Sequence, residues 1–309
     1  MVSESRVRPG EDFFAESWRE SPEFYGQGFH RMPELPEVER GRRLAEQTLL
    51  GRRITGVSCA DDEIVFQGEP PSVFEGVLKG RRVEAVRRRG KQLWFVLDSP
   101  PHPLFHFGMT VCFHRPGSAT LSLATGPKNP DASWPPRFTK IHLTADDGGE
   151  LVMTSARRLG RIRLRQAPEA EPPIVHLGFD PLIVPVSADE FAQALGRRKG
   201  RLKGLLLDQR FCAGIGNWIA DEVLYQAALD PRRAANDLTD DEARLLHHWL
   251  ILVVETAVAV DAEKDRLPRG WLFHSRWGRK PGAVTARGEA IEHLILGGRS
   301  TAWVPARQR

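Results

Sequence analysis

The sequence predicts an α+β protein of two domains, a strand-rich N-terminal half led by one helix and a helical half that closes on a β-hairpin. Three observations carry this. At roughly 150 residues per domain, 309 residues allow two cores. Short runs of Val, Ile, Phe and Leu, separated by Gly, Pro and Asp, fill residues 54–165. Beyond residue 188 the apolar spacing turns helical. A hydrophobic content of 41% with 27% charged residues fits a soluble globular chain.

Taken in order, residues 1–31 are polar, with scattered aromatics and no sustained period, and read as an extension. Leu35, Val38, Leu44, Ala45 and Leu49 then share one helical face, which Gly51 ends. Strands are expected over 54–60, 83–88, 92–98, 104–113, 140–144, 151–154 and 161–165. With no helical pattern between them, an antiparallel sandwich or barrel is favoured over a parallel sheet. Residues 166–188, with five prolines, read as a linker. Helices are expected over 191–195, 202–208 and 218–229, the last two separated by Gly214-Ile215-Gly216-Asn217. Thr239-Asp240-Asp241-Glu242 has the pattern of a capping box, and starts a helix running to about residue 262. Residues 291–296 and 300–304 flank Gly297-Gly298 and read as a hairpin.

Charge and cysteine usage narrow the function. The net charge is +4, but residues 1–31 carry six acidic and four basic groups, so the body holds +6. Clusters at Arg81-Arg82, Arg87-Arg88-Arg89-Lys91, 157–165 and 197–203 supply most of it, and over two domains they fit a phosphate-binding cleft. Cys59, Cys112 and Cys212 form no C-x-x-C pair, which argues against a thiolate zinc site or a disulfide framework and for a reducing, intracellular compartment. The apolar run 249–254 is too short to span a bilayer, and the N-terminus has neither a secretory nor a transit pattern.

The sharpest local feature is Met32-Pro33-Glu34-Leu35-Pro36-Glu37-Val38-Glu39. An internal Met before Pro is a candidate start, and loss of that Met leaves Pro33 as a free secondary amine. Such an amine titrates near 8 rather than 10.4, so a usable fraction is nucleophilic at neutral pH. A helix N-terminus lowers the value further. Condensed with a sugar aldehyde, a secondary amine gives an iminium, and Glu34 is placed to protonate a leaving oxygen. Pro-Glu alone is as well explained by an ordinary helix start.

The eight-residue string resembles the N-terminal signature of the formamidopyrimidine-DNA glycosylase (Fpg/Nei) family. Leu205–Gln209 followed by Ala213–Leu224 resembles its helix–two-turn–helix motif, and Leu177-Gly178-Phe179-Asp180-Pro181-Leu182 its interdomain segment. The fold this implies is an N-terminal antiparallel β-sandwich with a leading helix (32–165), a linker (166–188), a helical helix-two-turn-helix domain (189–270) and a hairpin finger (271–309). Residues 1–31 then read as a disordered extension or a misassigned start. By the same resemblance Pro33 is the Schiff-base nucleophile and Glu34 the acid that opens the sugar ring. Glu37 supports them, and Lys91 and Asn217 contact phosphate. Met109 fills the hole left by the extruded nucleotide, and Arg157-Arg158-Leu159-Gly160 matches an Arg-Arg-Phe-Gly loop whose Arg157 faces the orphaned base. Leu159 replaces a wedge phenylalanine and stacks less well.

The finger departs most. Where the zinc-bearing branch has two C-x-x-C pairs, this chain has Val284-x-x-Arg287 and Val304-x-x-Arg307. No zinc and no cofactor are expected. The finger resembles the zincless plant and fungal branch, with Gly278-Arg279-Lys280-Pro281-Gly282 before it and Arg299 past its turn in reach of phosphate. The stretch 261–273 is short for a loop folded over the damaged base. The resemblance implies a monomeric base-excision-repair enzyme on damaged double-stranded DNA, in the nucleoid of a bacterium or the nucleus of a eukaryote. It removes oxidised bases such as formamidopyrimidine or 8-oxoguanine and cuts the strand by β,δ-elimination. If Pro33 is locked in a peptide bond its nitrogen is an amide, and a damage-binding protein without catalysis is the alternative. A general nucleic-acid module accounts for residues 202–230 alone.

Overall fold

The leading helix sets the frame. In the computed structural model, which describes residues 33–117, 133–279 and 281–309, α1 spans Leu35–Leu49. Glu34 is its N-cap, and the Glu34 N–H donates to Glu37 Oε2 at 3.0 Å. Its apolar face packs on strands of the first domain, and it also meets the last helix of the second. The expected 1–31 extension, Met32 and Lys280 lie outside the described residues.

The first domain is two four-stranded antiparallel sheets face to face. One runs β1 (Ile54–Cys59), β6 (Thr139–Ala145), β7 (Glu150–Ser155), β5 (Val111–His114). The other runs β2 (Val83–Arg89), β3 (Gln92–Leu97), β4 (His102–His106), β8 (Arg161–Arg165). Between them lies one apolar core, with Phe95, Phe105, Phe107 and Phe113 at its centre.

Two expectations are corrected here. Residues 104–113 are not one strand: β4 and β5 belong to different sheets. The chain crosses at Phe107–Thr110, where Thr110 takes a φ of +64° and Gly108 lies against the backbone of Leu159. Nor is the stretch between β1 and β2 free of helix. It holds α2 (Glu63–Phe66) and α3 (Pro71–Leu78), whose Phe66, Phe74 and Leu78 are buried. Pro70-Pro71 reads as a breaker, yet proline at the first helical position starts a helix, since the N–H it lacks has no partner there anyway.

The second domain packs α4 (Ala188–Gly196), α5 (Leu202–Leu207), α6 (Asn217–Gln226) and α7 (Asp240–Ala259) around Phe191, Leu206, Ile219, Val223, Leu250 and Val254. The Thr239–Glu242 capping box is present. Strands β9 (Glu292–Leu296) and β10 (Arg299–Trp303) form the hairpin, and both turn glycines have positive φ. It is fastened by polar and aromatic contacts. Tyr225 Oη donates to Glu289 at 2.7 Å, the Arg307 guanidinium lies 5.0 Å from the Tyr225 ring centre, and Arg232 sits 4.3 Å from that of Trp303. Among the described residues, no group of three or more His, Cys, Asp or Glu side chains is placed to hold a metal ion. No described helix is long and apolar enough to cross a membrane.

Candidate active site and nucleic-acid interface

Glu34 links the two domains. Its carboxylate accepts the N–H groups of Gly216 (3.0 Å), Trp218 (2.9 Å) and Ile219 (3.1 Å), so it caps α6 from the end of α1. The arrangement depends on Gly216, since a Cβ there would collide with the Glu34 side chain. Gly214, at φ +95°, sits against Leu35, and its carbonyl accepts the Leu35 N–H at 3.0 Å. Gln209 staples the two-turn loop, accepting from Gly214 N (3.0 Å) and donating to Ile215 O (2.8 Å).

Lys91 enters from the turn between β2 and β3 and donates to the same Ile215 carbonyl at 3.0 Å. The turn is rigidly held. Asp180 accepts the Gly90 N–H at 2.7 Å, and Arg88 donates to the Gly90 carbonyl at 3.0 Å. Arg88 itself bridges Glu39 (2.9 Å) and Asp180 (2.6 Å), with its side chain 1% exposed. Arg88 is therefore an internal strut and not part of a DNA-facing patch. The same correction applies to Lys203, wholly buried against Asp221 and donating to the Asn217 carbonyl at 3.0 Å.

The electrostatics follow from this burial. Glu34 is pushed up to about 7, chiefly by desolvation and secondarily by Glu37, against the pull of Lys91 and the Trp218 and Ile219 N–H groups. Lys91 is lowered, by burial first and then by Arg299, while Glu34 and Glu37 hold it up. Arg299 thus brings the finger's charge to the Lys91 site. His106, half-buried at the end of β4, is lowered to about 3 by desolvation and then by Arg163, Lys91 and Arg161. It stands in the site's field as a neutral imidazole, and nothing in the spacing of the sequence singles it out.

Asn217 directs its amide Nδ2 onto the Ser300 carbonyl at 2.8 Å, tying α6 to β10, while its buried Oδ1 has no hydrogen-bond partner. A second group gathers on two neighbouring loops. Arg157 Nη1 lies 3.4 Å from Met109 Sδ, and Leu159 meets Gly108 backbone to backbone. Arg157 is exposed, and Met109 and Leu159 are half-buried. Arg158 turns away from this group, donating through Nε to both oxygens of Asp62 at 3.0 and 3.1 Å. The structure thus joins Pro33, Glu34, Glu37, Lys91, Asn217 and Arg299 at the domain junction, and Met109, Arg157 and Leu159 on the loop pair.

Known proteins share this architecture. Residues 32–162 match the formamidopyrimidine-DNA glycosylase N-terminal domain, and residues 177–268 match the H2TH domain of the same glycosylases. The chain is 43% identical over 278 residues to the formamidopyrimidine-DNA glycosylase of Arabidopsis thaliana, covering 90% of this chain and 71% of that one. It is 32% identical to that of Paracoccus denitrificans, covering 90% and 100%. Among solved structures, Lactococcus lactis Fpg bound to abasic-site DNA superposes with a TM-score of 0.72 at 24% identity, over 89% of this chain and 99% of that one. A MutM complex with DNA containing carbocyclic 8-oxo-G gives 0.72 at 25% identity, over 90% and 100%. Two family domains in their order, on a mixed fold with its acid at their junction, lead to one conclusion: the chain belongs to the formamidopyrimidine-DNA glycosylase family of DNA-repair enzymes.

Proposed function

We propose that the protein is a bifunctional glycosylase and abasic-site lyase acting on oxidised bases in double-stranded DNA. The observation that carries this is Glu34, a buried acid adjacent to Pro33 and poised near neutral pH. With Pro33 freed as an amine, its lone pair attacks C1′ of an extruded nucleotide as the base leaves. Glu34 gives its proton to the ring oxygen, so the sugar opens and an iminium remains. Loss of a C2′ proton then breaks the C3′–O bond, and the following elimination breaks the C5′–O bond. Lys91, Asn217 and Arg299 hold the flanking phosphates, Glu37 orients the Glu34 backbone, and Met109, Arg157 and Leu159 occupy the vacated stack.

The reading is tested with protein started at Met32. Borohydride is expected to trap it covalently on an oxidised-base or abasic duplex, and intact mass is expected to show Pro33 as its first residue. The full 309-residue chain, with Pro33 in peptide linkage, is expected to bind the same duplex without an adduct. Absence of an adduct from the Pro33-terminated form would leave the non-catalytic, damage-binding reading in its place.

A further inference from the structure

The loop that carries Arg157 and Leu159 joins β7 in one sheet to β8 in the other, against the crossing at Phe107–Thr110 that carries Met109. It is a tight turn. The Arg158 N–H donates to the Ser155 carbonyl at 3.2 Å, the Gly160 N–H donates to Ser155 Oγ at 3.2 Å, and Arg158 holds a φ of +55°. A residue other than glycine is strained in that left-handed region, and stays there only where its surroundings hold it. Arg161 supplies one hold, donating through Nη1 to the Arg158 and Gly160 carbonyls at 2.9 and 2.7 Å. Arg157 itself is exposed, and its Nη1 reaches Met109 Sδ, a weak acceptor, at 3.4 Å.

The stronger hold comes from α2. Asp62 is the N-cap of that helix, 3% exposed, and accepts the Val65 N–H at 3.2 Å. The same carboxylate takes Arg158 Nε on both oxygens, Arg158 Nη2 at 3.0 Å, and Lys140 Nζ from β6 at 2.7 Å. Burial pushes the Asp62 carboxyl up, but the Arg158 and Lys140 bonds outweigh it and hold the group at about 2, so it is an anion at neutral pH. The helix beneath it is fixed in turn. Val65 and Phe66 lie in the core, the Phe66 ring is 4.8 Å from that of Phe74, and Gln67 at the far end accepts from Arg163 of β8. Arg158 is therefore a tie between a buried, anchored anion and the left-handed residue of the turn.

Resting on the reading that Met109, Arg157 and Leu159 fill the vacated stack, we propose that Asp62 is a positioning residue for damaged-DNA recognition. Through Arg158 it sets the turn from which Arg157 and Leu159 project, so these side chains are arranged before DNA arrives. A loop that must be ordered on binding loses conformational freedom at that moment, and one already tied loses less. The gain falls on a duplex with a gap in its stack, because only there do these side chains have a place to enter.

The test measures equilibrium binding of the full 309-residue chain to two duplexes, one holding a tetrahydrofuran abasic analogue and one undamaged. Asp62→Asn keeps a capping side chain on α2 but removes the anion. Arg158→Ala cuts the tie at its exposed end and leaves Asp62 with Lys140 and the cap. Each is expected to lower the preference for the abasic duplex about tenfold, and the double variant no further than either alone, since both break one link. Arg158→Lys is expected to recover part of the preference, having the charge but not the fork. Lys140→Met removes a partner of Asp62 outside the loop. It is expected to lower the urea midpoint while the preference stays within about twofold. Additive losses in the double variant, an equal loss of preference in Lys140→Met, or a wild-type protein without the preference would overturn the proposal. So would an Arg158→Ala that weakens both duplexes equally with a salt slope shallower by about 0.9, the mark of a direct phosphate contact. Failure of the Pro33 chemistry is read separately, as a missing borohydride adduct, because neither duplex used for binding reacts.

Discussion

The Glu34 carboxylate accepts the Trp218 N–H at 2.9 Å, so the acid at the head of one domain's helix is the cap of a helix in the other. Three backbone donors stabilise its anion, yet burial outweighs them and the group sits at about 7. The protonated form that the proposed ring opening requires is thus present at neutral pH and lost as pH rises above about 7. Single-turnover base release is expected to fall along that limb. Glu34→Gln is expected to cost about 10²–10⁴-fold in the same assay.

Glu222 makes a pH prediction about stability. It is also raised to about 7, chiefly by burial, although the N–H groups of Leu272 (3.3 Å) and Phe273 (2.8 Å) favour its anion. Between its ordinary 4.5 and about 7, the folded protein keeps a proton that the unfolded chain has released. Stability from this group is therefore greatest at the acid end of that window and is lost as pH rises through it. The slope is at most about 1.4 kcal/mol per pH unit. Urea titrations at a series of pH values are expected to show that slope, and Glu222→Gln to flatten it.

Gly108→Ala addresses the loop pair. A Cβ there would strike the Leu159 carbonyl, so the Met109 and Leu159 loops must separate. A loss of about 1–3 kcal/mol in stability is expected. Weaker binding to a lesion-bearing duplex should accompany it, while binding to undamaged DNA changes little. A gel-shift comparison of the two duplexes checks it.

Asp180→Asn tests the strut behind Lys91. Arg88 would keep Glu39 but lose the charge of its second partner, deep in the protein. Breaking such a pair costs on the order of 3 kcal/mol, to be read from the urea midpoint. Because the Gly90 N–H also loses an anionic acceptor, the Lys91 turn is expected to loosen, visible as faster amide exchange at Gly90 and Lys91.

Much of this was legible in the sequence. The α1 helix, the capping box of α7 and the hairpin around Gly297-Gly298 are encoded by spacing and turn residues within a few positions of one another. That Glu34 stands next to Pro33 is plain in the string itself, whereas its capping of α6 is not, since Gly216 and Trp218 lie 182 and 184 residues away. What escaped depends on distant pairing. Nothing near Arg88 or Lys203 marks them as internal, since Asp180 is 92 and Asp221 is 18 residues away. His106 enters the field of Lys91 only through sheet pairing, and the break between β4 and β5 follows from Leu159 packing on Gly108. The helix α3 was hidden because Pro70-Pro71 stops one element and starts another with the same residues.

The Glu39–Arg88–Asp180 chain and the Glu34 cap have a consequence for the order in which the molecule fails. Both run from α1 into segments that belong with the second domain, so neither domain can melt without uncovering buried charge or bare helix N–H groups at the other's edge. Heat or denaturant should therefore silence the enzyme and unfold both halves at one midpoint, making activity itself a reporter of cooperative unfolding. A separately produced N-terminal domain, folded or not, would lack the donors that hold its own acid in place.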